Sequence, residues 1–208
     1  SDANRLLMSD SMAGLVLAVD IASGVRSKEL SSGVGEGRYL LMPSFMAHAP
    51  GSNNVYVLDN DSNAKQALLA IDLTTSDRSF VTNGSLPQQP ALDLLLDEDR
   101  NQLIAIYQHQ IVTVNIDTRA VSVIKTLDIT SSIPFTSFGG GAIDKATKRL
   151  LVSSFNSSDT LVAIDLETYE HQVLNITSTG QSLSGIVDIA LNASGNKLYS
   201  SLYLLKMS

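Results

Sequence analysis

The sequence predicts an all-β fold assembled from four-stranded repeats, and three observations support this prediction. An "anchor motif" of two apolar or small residues, Asp or Asn, and an aliphatic residue recurs along the chain. A polar turn that opens an apolar strand recurs as well, and helical spacing of apolar residues is not sustained anywhere. The Asp or Asn of the anchor motif returns after 52, 43 and 50 residues, a period typical of β-propeller blades. The anchor motifs are Ala18–Ile21, Ala70–Leu73, Thr113–Ile116 and Ala163–Leu166.

One repeat shows the order of the predicted strands. The apolar stretch Gly141–Ile143 precedes a polar turn, and Leu150–Ser153 follows that turn. The anchor strand Leu161–Asp165 comes next, and a more polar strand, Gln172–Asn175, ends the repeat. Continuously apolar inner strands are expected where both faces of a sheet are buried, and a mixed strand is expected at the rim.

The other repeats align with this one. Ala91–Leu96 and Gly185–Leu191 are the equivalent innermost strands, and the polar turns that follow begin at Asp97 and Asn192. Asp or Asn in such turns can accept hydrogen bonds from its own backbone, and Gly or Asn tolerates left-handed dihedral angles.

The alignment predicts three whole blades and two partial ones, with approximate boundaries at 1–36, 37–85, 86–132, 133–183 and 184–208. We expect one propeller domain, or a segment of a larger propeller of about six to eight blades. A closed four-bladed ring and a β-sandwich are the alternatives.

The second blade is the irregular one. Its inner strand is predicted near Leu40–Met42, and the regular pattern restarts at Val55–Val57. Asp59–Asn63 opens like a calcium loop but lacks the required Gly and Glu, so it predicts a polar hairpin loop. Gly33–Gly37 lacks the Lys of a phosphate loop and predicts a flexible connection between blades.

Composition excludes several classes of function. A net charge of −7 and a pI near 4.8 argue against a nucleic-acid or an anionic membrane partner. No apolar run approaches the roughly 18 residues of a membrane-spanning helix. The chain contains no Cys, so thiolate metal sites and Cys nucleophiles are excluded.

The fourth blade carries a family resemblance. Ala142–Ser154 followed by Thr160–Thr168 resembles the YVTN/NHL-type β-propeller repeats, and Leu191–Tyr199 is similar to the same turn. The resemblance implies a propeller fold and an extracytoplasmic location (periplasmic, secreted or cell-surface). It also implies kinship with binding and scaffold proteins and, more distantly, with gluconolactonase-like and strictosidine-synthase-like enzymes.

Two carboxylates are the candidate site residues. Counting back four positions from the aligned turn residues reaches Asp93, Gly140 and Asp188, near the start of innermost strands, where propellers place ligands over the central channel. One hypothesis is that Asp93 and Asp188 bind a polar ligand, or Ca²⁺ or another divalent cation, at the channel mouth, with bare backbone at Gly140. The alternative, which we favour, is that these carboxylates accept hydrogen bonds from backbone amides and hold water.

The remaining candidates point away from catalysis. His48, His109 and His171 fall in different repeats without metal-ligand spacing, and only His48 is placed to approach the channel. The sequence therefore predicts an extracytoplasmic binding or interaction module with no evident catalytic residue, which takes a protein or a small polar ligand. A metal-dependent lactonase-like hydrolase with a channel cation is the alternative, and a purely structural repeat is a third class.

Overall fold

In the residues that the computed structural model describes, every regular element is a β-strand except one turn of 3-10 helix at Glu98–Arg100. No helix in the described part of the chain is long and apolar enough to cross a membrane. The structure describes residues 5–31, 34–48, 51–60, 65–82, 84–127, 133, 136–154, 160–176, 186–195 and 197–202.

Seventeen strands lie in these ranges. They are β1 (Arg5–Asp10), β2 (Leu15–Asp20), β3 (Arg26–Ser31), β4 (Met42–His48), β5 (Asn54–Asn60), β6 (Gln66–Asp72), β7 (Arg78–Phe80), β8 (Ala91–Asp97), β9 (Gln102–Tyr107), β10 (Gln110–Asn115), β11 (Val121–Thr126), β12 (Gly141–Asp144), β13 (Arg149–Val152), β14 (Thr160–Asp165), β15 (His171–Asn175), β16 (Ile186–Leu191) and β17 (Leu198–Leu202).

These strands form five sheets in chain order. The described residues give a three-stranded sheet β1-β2-β3, three four-stranded sheets (β4 to β7, β8 to β11, β12 to β15) and a two-stranded sheet β16-β17. Each strand pairs with its neighbours in sequence. In the first, second, fourth and fifth sheets the paired strands run antiparallel. The predicted all-β fold of repeated four-stranded sheets, with smaller sheets before and after them, is thus confirmed.

The chain divides into two compact units, residues 1–103 with 114–121 and residues 104–113 with 122–208. In the first unit, Val16 of the first sheet packs on the second sheet. Its partners there are Val55, Val57, Leu69 and Ile71, each fully buried. β5 is buried on both faces, as its continuous apolar run predicts.

The start of the second sheet differs from the prediction. Its first strand is Met42–His48, not the stretch near Leu40–Met42, and the register shifts between Pro43 and Met46. Proline has no N–H to donate to a ladder, so a strand accepts it at such irregular positions. The displaced strand start follows from this irregularity.

The connection between the first two sheets is not a flexible linker over its described part, Val34–Gly37. The buried guanidinium of Arg78 donates to backbone carbonyls of Val34 (2.6 Å), Gly35 (3.3 Å) and Arg38 (2.6 Å). Asp77 accepts a hydrogen bond from the Glu36 amide at 2.7 Å. Gly33 lies outside the described residues. The prediction of flexibility was wrong because the side chains that hold the segment come from 40 residues away.

In the second unit, the fourth and fifth sheets share a core. Ala142, Leu151, Leu161 and Ala163 pack with Ile186 and Ile189. The segment before β12 runs directly against β16, where the Gly140 amide donates to the Val187 carbonyl at 2.9 Å. The fourth and fifth sheets are therefore joined by a backbone hydrogen bond as well as by apolar packing.

Candidate functional site

The carboxylates of the anchor motif serve the hairpin turns between the third and fourth strands. Asp72 Oδ1 accepts hydrogen bonds from the Thr74 and Thr75 amides at 2.7 and 2.9 Å, and Asp165 Oδ1 accepts them from Glu167 and Thr168 at 2.8 Å each. Asn115 makes the equivalent bond to the Thr118 amide. The repeated acid therefore has a local structural role.

Each of these turns closes on a residue with a left-handed backbone. Four positions after the anchor Asp or Asn stand Gly24, Ser76, Arg119 and Tyr169, with φ between 59° and 69°. Their amides donate to the anchor carbonyl at 2.8 to 2.9 Å. The residue just before each left-handed residue is Ser or Thr. Its hydroxyl oxygen accepts a hydrogen bond from the backbone amide of the residue just after the left-handed one. The turn geometry is thus repeated in four sheets whatever residue occupies the left-handed position.

In the second, third and fourth sheets, the turn between the first and second strands lies at the same edge as the hairpin turn that follows the anchor residue. The Leu73 amide donates to the Asn53 carbonyl at 2.8 Å, Ile116 donates to Asn101 at 3.0 Å, and Leu166 donates to Lys148 at 3.1 Å. These bonds tie the two hairpin turns of a sheet together. We call this the turn edge; the opposite "loop edge" carries the connections between second and third strands and between sheets.

Asp93 and Asp188 make the same local contact. Asp93 Oδ1 accepts from the Leu94 amide and Asp188 Oδ1 accepts from the Ile189 amide, both at 2.8 Å. Asp93 is half-buried in the first unit, and Asp188 is exposed in the second. These contacts agree with the alternative that both carboxylates accept hydrogen bonds from backbone amides.

Gly140 and Asp188 are brought together within the second unit. A Cβ placed on Gly140 would collide with Asp188 Oδ1 and lie 2.9 Å from its Cα. A Cβ on Gly139 would lie 2.6 Å from Ser153 Oγ. Close approach of backbone therefore accounts for these glycines.

The described residues contain no group of three or more His, Cys, Asp or Glu side chains that could hold a metal ion. His48 Nε2 lies 3.0 Å from the Ser52 carbonyl, within hydrogen-bonding distance. His171 is the first residue of β15, and partial burial lowers its pKa.

A polar groove of about 560 Å³ opens at the loop edge of the second sheet. The start of β6, the end of β7 and the connection that follows β7 supply most of its wall. Its lining residues are Arg38, Lys65, Gln66, Ala67, Phe80, Thr82, Gly84, Ser85, Leu86 and Gln88.

A buried ion pair fixes one cation of this groove. Asp59 is completely buried, and its Oδ1 accepts from the Leu41 and Met42 amides at 2.9 Å each. Arg38 Nη2 lies 3.3 Å from Asp59 Oδ2, while 25% of the Arg38 side chain stays exposed. The guanidinium is therefore anchored on one side and accessible on the other.

Gln66 and Phe80 complete the groove. The amide nitrogen and oxygen of Gln66 are both buried, and neither has a hydrogen-bond partner among the described residues. Phe80 is 49% exposed. The groove thus combines two cations, amide and hydroxyl groups, and one exposed aromatic ring.

Sequence reasoning missed this groove. Asp59 was placed in a polar hairpin loop, yet it is a buried residue of β5; residues 61–64 lie outside the described residues. A carboxylate that directly follows the apolar run Val55–Leu58 was the available signal, because a buried charge needs a partner. Its partner, 21 residues earlier, could not be identified from spacing.

No protein-family model matches the chain, and no curated protein matches it. Among solved structures, the Nidogen/Laminin complex aligns with 96% of this chain and 68% of that chain, at a TM-score of 0.72 and 12% identity. TolB from Acinetobacter baumannii aligns with 95% of this chain at TM-score 0.61 and 15% identity. The Cps50 (Swd1) β-propeller domain of Myceliophteria thermophila aligns with 97% at TM-score 0.66 and 16% identity.

The chain spans 45% of the TolB chain and 59% of the Cps50 chain. Identities this low bear on the fold alone. Together with the five sheets and the repeated hairpin turns, the structural alignments show that the chain has a β-propeller fold.

Proposed function

We propose that the protein is an extracytoplasmic β-propeller binding module of the YVTN/NHL type, which takes a protein or a small polar ligand at its loop edge. The groove beside Arg38 and Lys65 is the observation that carries this proposal. Rigid scaffolds commonly present binding residues on the connections between their strands.

The two edges of the sheets differ in a way that supports the proposal. At the turn edge, the anchor side chains and the backbone groups are committed to hydrogen bonds within the hairpins. At the loop edge of the second sheet, the buried Gln66 amide has no partner among the described residues. Recognition is therefore assigned to the loop edge.

Three further observations support the partner and location. One of the similar structures is the Nidogen/Laminin complex. It is an example of two proteins bound to each other, which supports a role for this fold in protein recognition. The extracytoplasmic location rests on the YVTN/NHL-type resemblance of residues 142–199. The acidic chain, with a net charge of −7, fits no nucleic-acid partner.

A thermal-shift panel tests the proposal. Sugars, amino acids, dicarboxylates, phosphates and divalent cations are added to the wild-type chain and to two variants. Ser85→Trp fills the groove, and Thr168→Trp adds the same bulk at the turn edge of the fourth sheet. We expect at least one compound to raise the melting temperature of wild type and Thr168→Trp but not of Ser85→Trp. Compounds that act equally on all three proteins, or on none, contradict the proposal.

A metal-dependent lactonase-like hydrolase is the second candidate. The matched hydrogen bonds of Asp93 and Asp188 at equivalent positions are the observation in its favour. It requires these carboxylates to bind a divalent cation, and Gly140 leaves the backbone bare beside Asp188. A Ca²⁺ titration of wild type, Asp93→Asn and Asp188→Asn tests it by calorimetry. Saturable binding that these substitutions weaken supports this candidate, and no binding to the wild type overturns it.

A further inference from the structure

We infer that the loop-edge groove of the first unit binds a small acidic sugar, of which a hexuronic acid is the simplest. This inference rests on the proposed binding function and names the ligand class. Four properties of the groove point to it: charge, preorganisation, hydrogen-bonding capacity and an exposed ring.

The charge of the groove opposes that of the chain. The whole sequence has 21 acidic and 14 basic residues, yet among the described residues that line the groove the charged ones are Arg38 and Lys65, which are both basic. A local positive site in an acidic protein attracts an anion. Arg and Lys pair with carboxylates through charge-assisted hydrogen bonds.

Arg38 is held in place before any ligand arrives. Its guanidinium contacts the buried carboxylate of Asp59, which is itself fixed by two backbone amides. A side chain already ordered loses less conformational entropy on binding, so more of its interaction energy contributes to affinity. Lys65 is exposed and supplies the second charge.

The neutral polar residues fit a ligand with several hydroxyl groups. Gln66, Gln88, Thr82 and Ser85 line the groove. A primary amide offers a donor and an acceptor side by side, and each sugar hydroxyl can both donate and accept. A buried amide without a partner costs free energy, and a small rotation of the Gln66 side chain toward the groove would pair it with a bound hydroxyl.

Phe80 and the volume of the groove set the size and shape of the ligand. The Phe80 ring is 49% exposed and forms a flat apolar surface, against which the C–H face of a pyranose can lie. The groove volume of about 560 Å³ falls in the range of small-molecule sites. A monosaccharide or disaccharide with one carboxylate matches these limits.

The test is an NMR titration of the full 208-residue chain with three probes. Sodium glucuronate carries the carboxylate and the hydroxyls, glucose carries only hydroxyls, and sodium acetate carries only the carboxylate. We expect glucuronate to shift the amide resonances of Lys65–Ala67 and Gly84–Leu86 with a Kd of roughly a millimolar. Glucose and acetate should bind at least about tenfold more weakly, since each lacks one set of contacts.

Variants locate the site. Lys65→Gln removes an exposed charge at the groove and should weaken glucuronate binding by about fivefold or more. Phe80→Ala removes the ring and should weaken it as well. Lys145→Gln removes an exposed charge from a turn of the fourth sheet and serves as the matched control, which should leave the Kd unchanged.

Equal binding of acetate and glucuronate, or of glucose and glucuronate, would overturn the acidic-sugar assignment. So would a glucuronate Kd that Lys65→Gln and Lys145→Gln change alike, or the absence of saturable shifts. If a different class of compound binds in the thermal-shift panel and is blocked by Ser85→Trp, the binding module stands while the acidic sugar fails.

Discussion

An aspartate or asparagine ends the next-to-last strand in four sheets, and its hydrogen bonds are local. Asp20, Asp72 and Asp165 accept hydrogen bonds from amides two or three residues later, and Asn115 does so without a charge. Acidity at this position is therefore not required for the turn. What the turn requires is an acceptor oxygen at the right distance, followed by a residue that accepts a left-handed backbone.

The charge of Asp72 has a predicted effect on stability. Hydrogen bonds from the Thr75 and Thr74 amides lower its pKa below the usual value, so the folded state favours the charged form. The resulting stabilisation is complete above the unfolded pKa of about 3.9 and is lost as the pH falls through the lower folded pKa. We expect Asp72→Asn to fold like the Asn115 turn and to melt lower than wild type at pH 7. The difference should shrink as the pH falls below about 3.9, as thermal melts at a series of pH values would reveal; a constant difference would contradict the assignment.

The buried hydroxyl of Tyr107 gives a second residue-scale prediction. Tyr107 is fully buried, burial raises its pKa, and its hydroxyl has no hydrogen-bond partner among the described residues. Removing an unpaired buried polar group relieves a desolvation cost. Tyr107→Phe should therefore raise the free energy of unfolding by about 1 kcal/mol, measured by urea denaturation. A loss of stability would show that the hydroxyl is paired.

At the scale of elements, the strands of the third and fourth sheets were predictable because apolar runs and Asx turns are local signals. β8, β12 and β14 begin and end within one residue of the predicted limits. β4 was not predictable, since Pro43 and a register shift interrupt its pattern. The groove was not predicted because it depends on contacts between segments that are distant in sequence. These contacts are the Arg38–Asp59 ion pair and the hydrogen bonds of Arg78. Strand propensity and the repeat period carry no information about such contacts.

The approach of β16 to Gly140 predicts a cost for any side chain there. A Cβ at position 140 would collide with Asp188. A Cβ at position 24 would have no atom within 4 Å, and its only cost would be the left-handed φ of +69°. Overpacking costs about 1–3 kcal/mol and an unfavourable left-handed backbone about 1 kcal/mol. Gly140→Ala should therefore destabilise the chain more than Gly24→Ala in parallel urea titrations. The opposite order would mean that β16 can move away freely.

The Arg78 guanidinium predicts the behaviour of the connection between the first two sheets. Arg78→Met leaves the Val34, Gly35 and Arg38 carbonyls without their donor and should cost about 2–4 kcal/mol. Arg78→Lys keeps the charge but loses the planar fork, so its effect should be intermediate. Urea denaturation gives the cost, and faster amide exchange at Glu36 should accompany it. Unchanged exchange in Arg78→Met would refute this role.

For the whole molecule, the first two strands of the first sheet present exposed apolar side chains on one face. Leu6 and Met8 are 53% and 48% exposed and pair with Val19 and Leu17. The same register positions in the second sheet are Val55, Val57, Leu69 and Ile71, which are fully buried beneath the first sheet. The exposed face is thus built to be covered by another sheet of the same kind, as successive propeller blades cover each other.

This face should drive self-association of the 208-residue chain. Exposed apolar patches of this kind mark association surfaces. We expect a concentration-dependent increase in sedimentation coefficient, reduced by Met8→Lys and unaffected by Met12→Lys, which changes a 97% exposed residue in the following turn. Identical sedimentation of all three proteins at every concentration would rule this out.

The contacts of Arg78 also imply an order of assembly. The carbonyls to which Arg78 donates belong to the connection that follows the first sheet. Arg78 itself lies in β7, in the last hairpin of the second sheet. That link can therefore adopt its final path only once the later hairpin has closed. Each newly folded blade in such a chain would fix the conformation of the connection that precedes it.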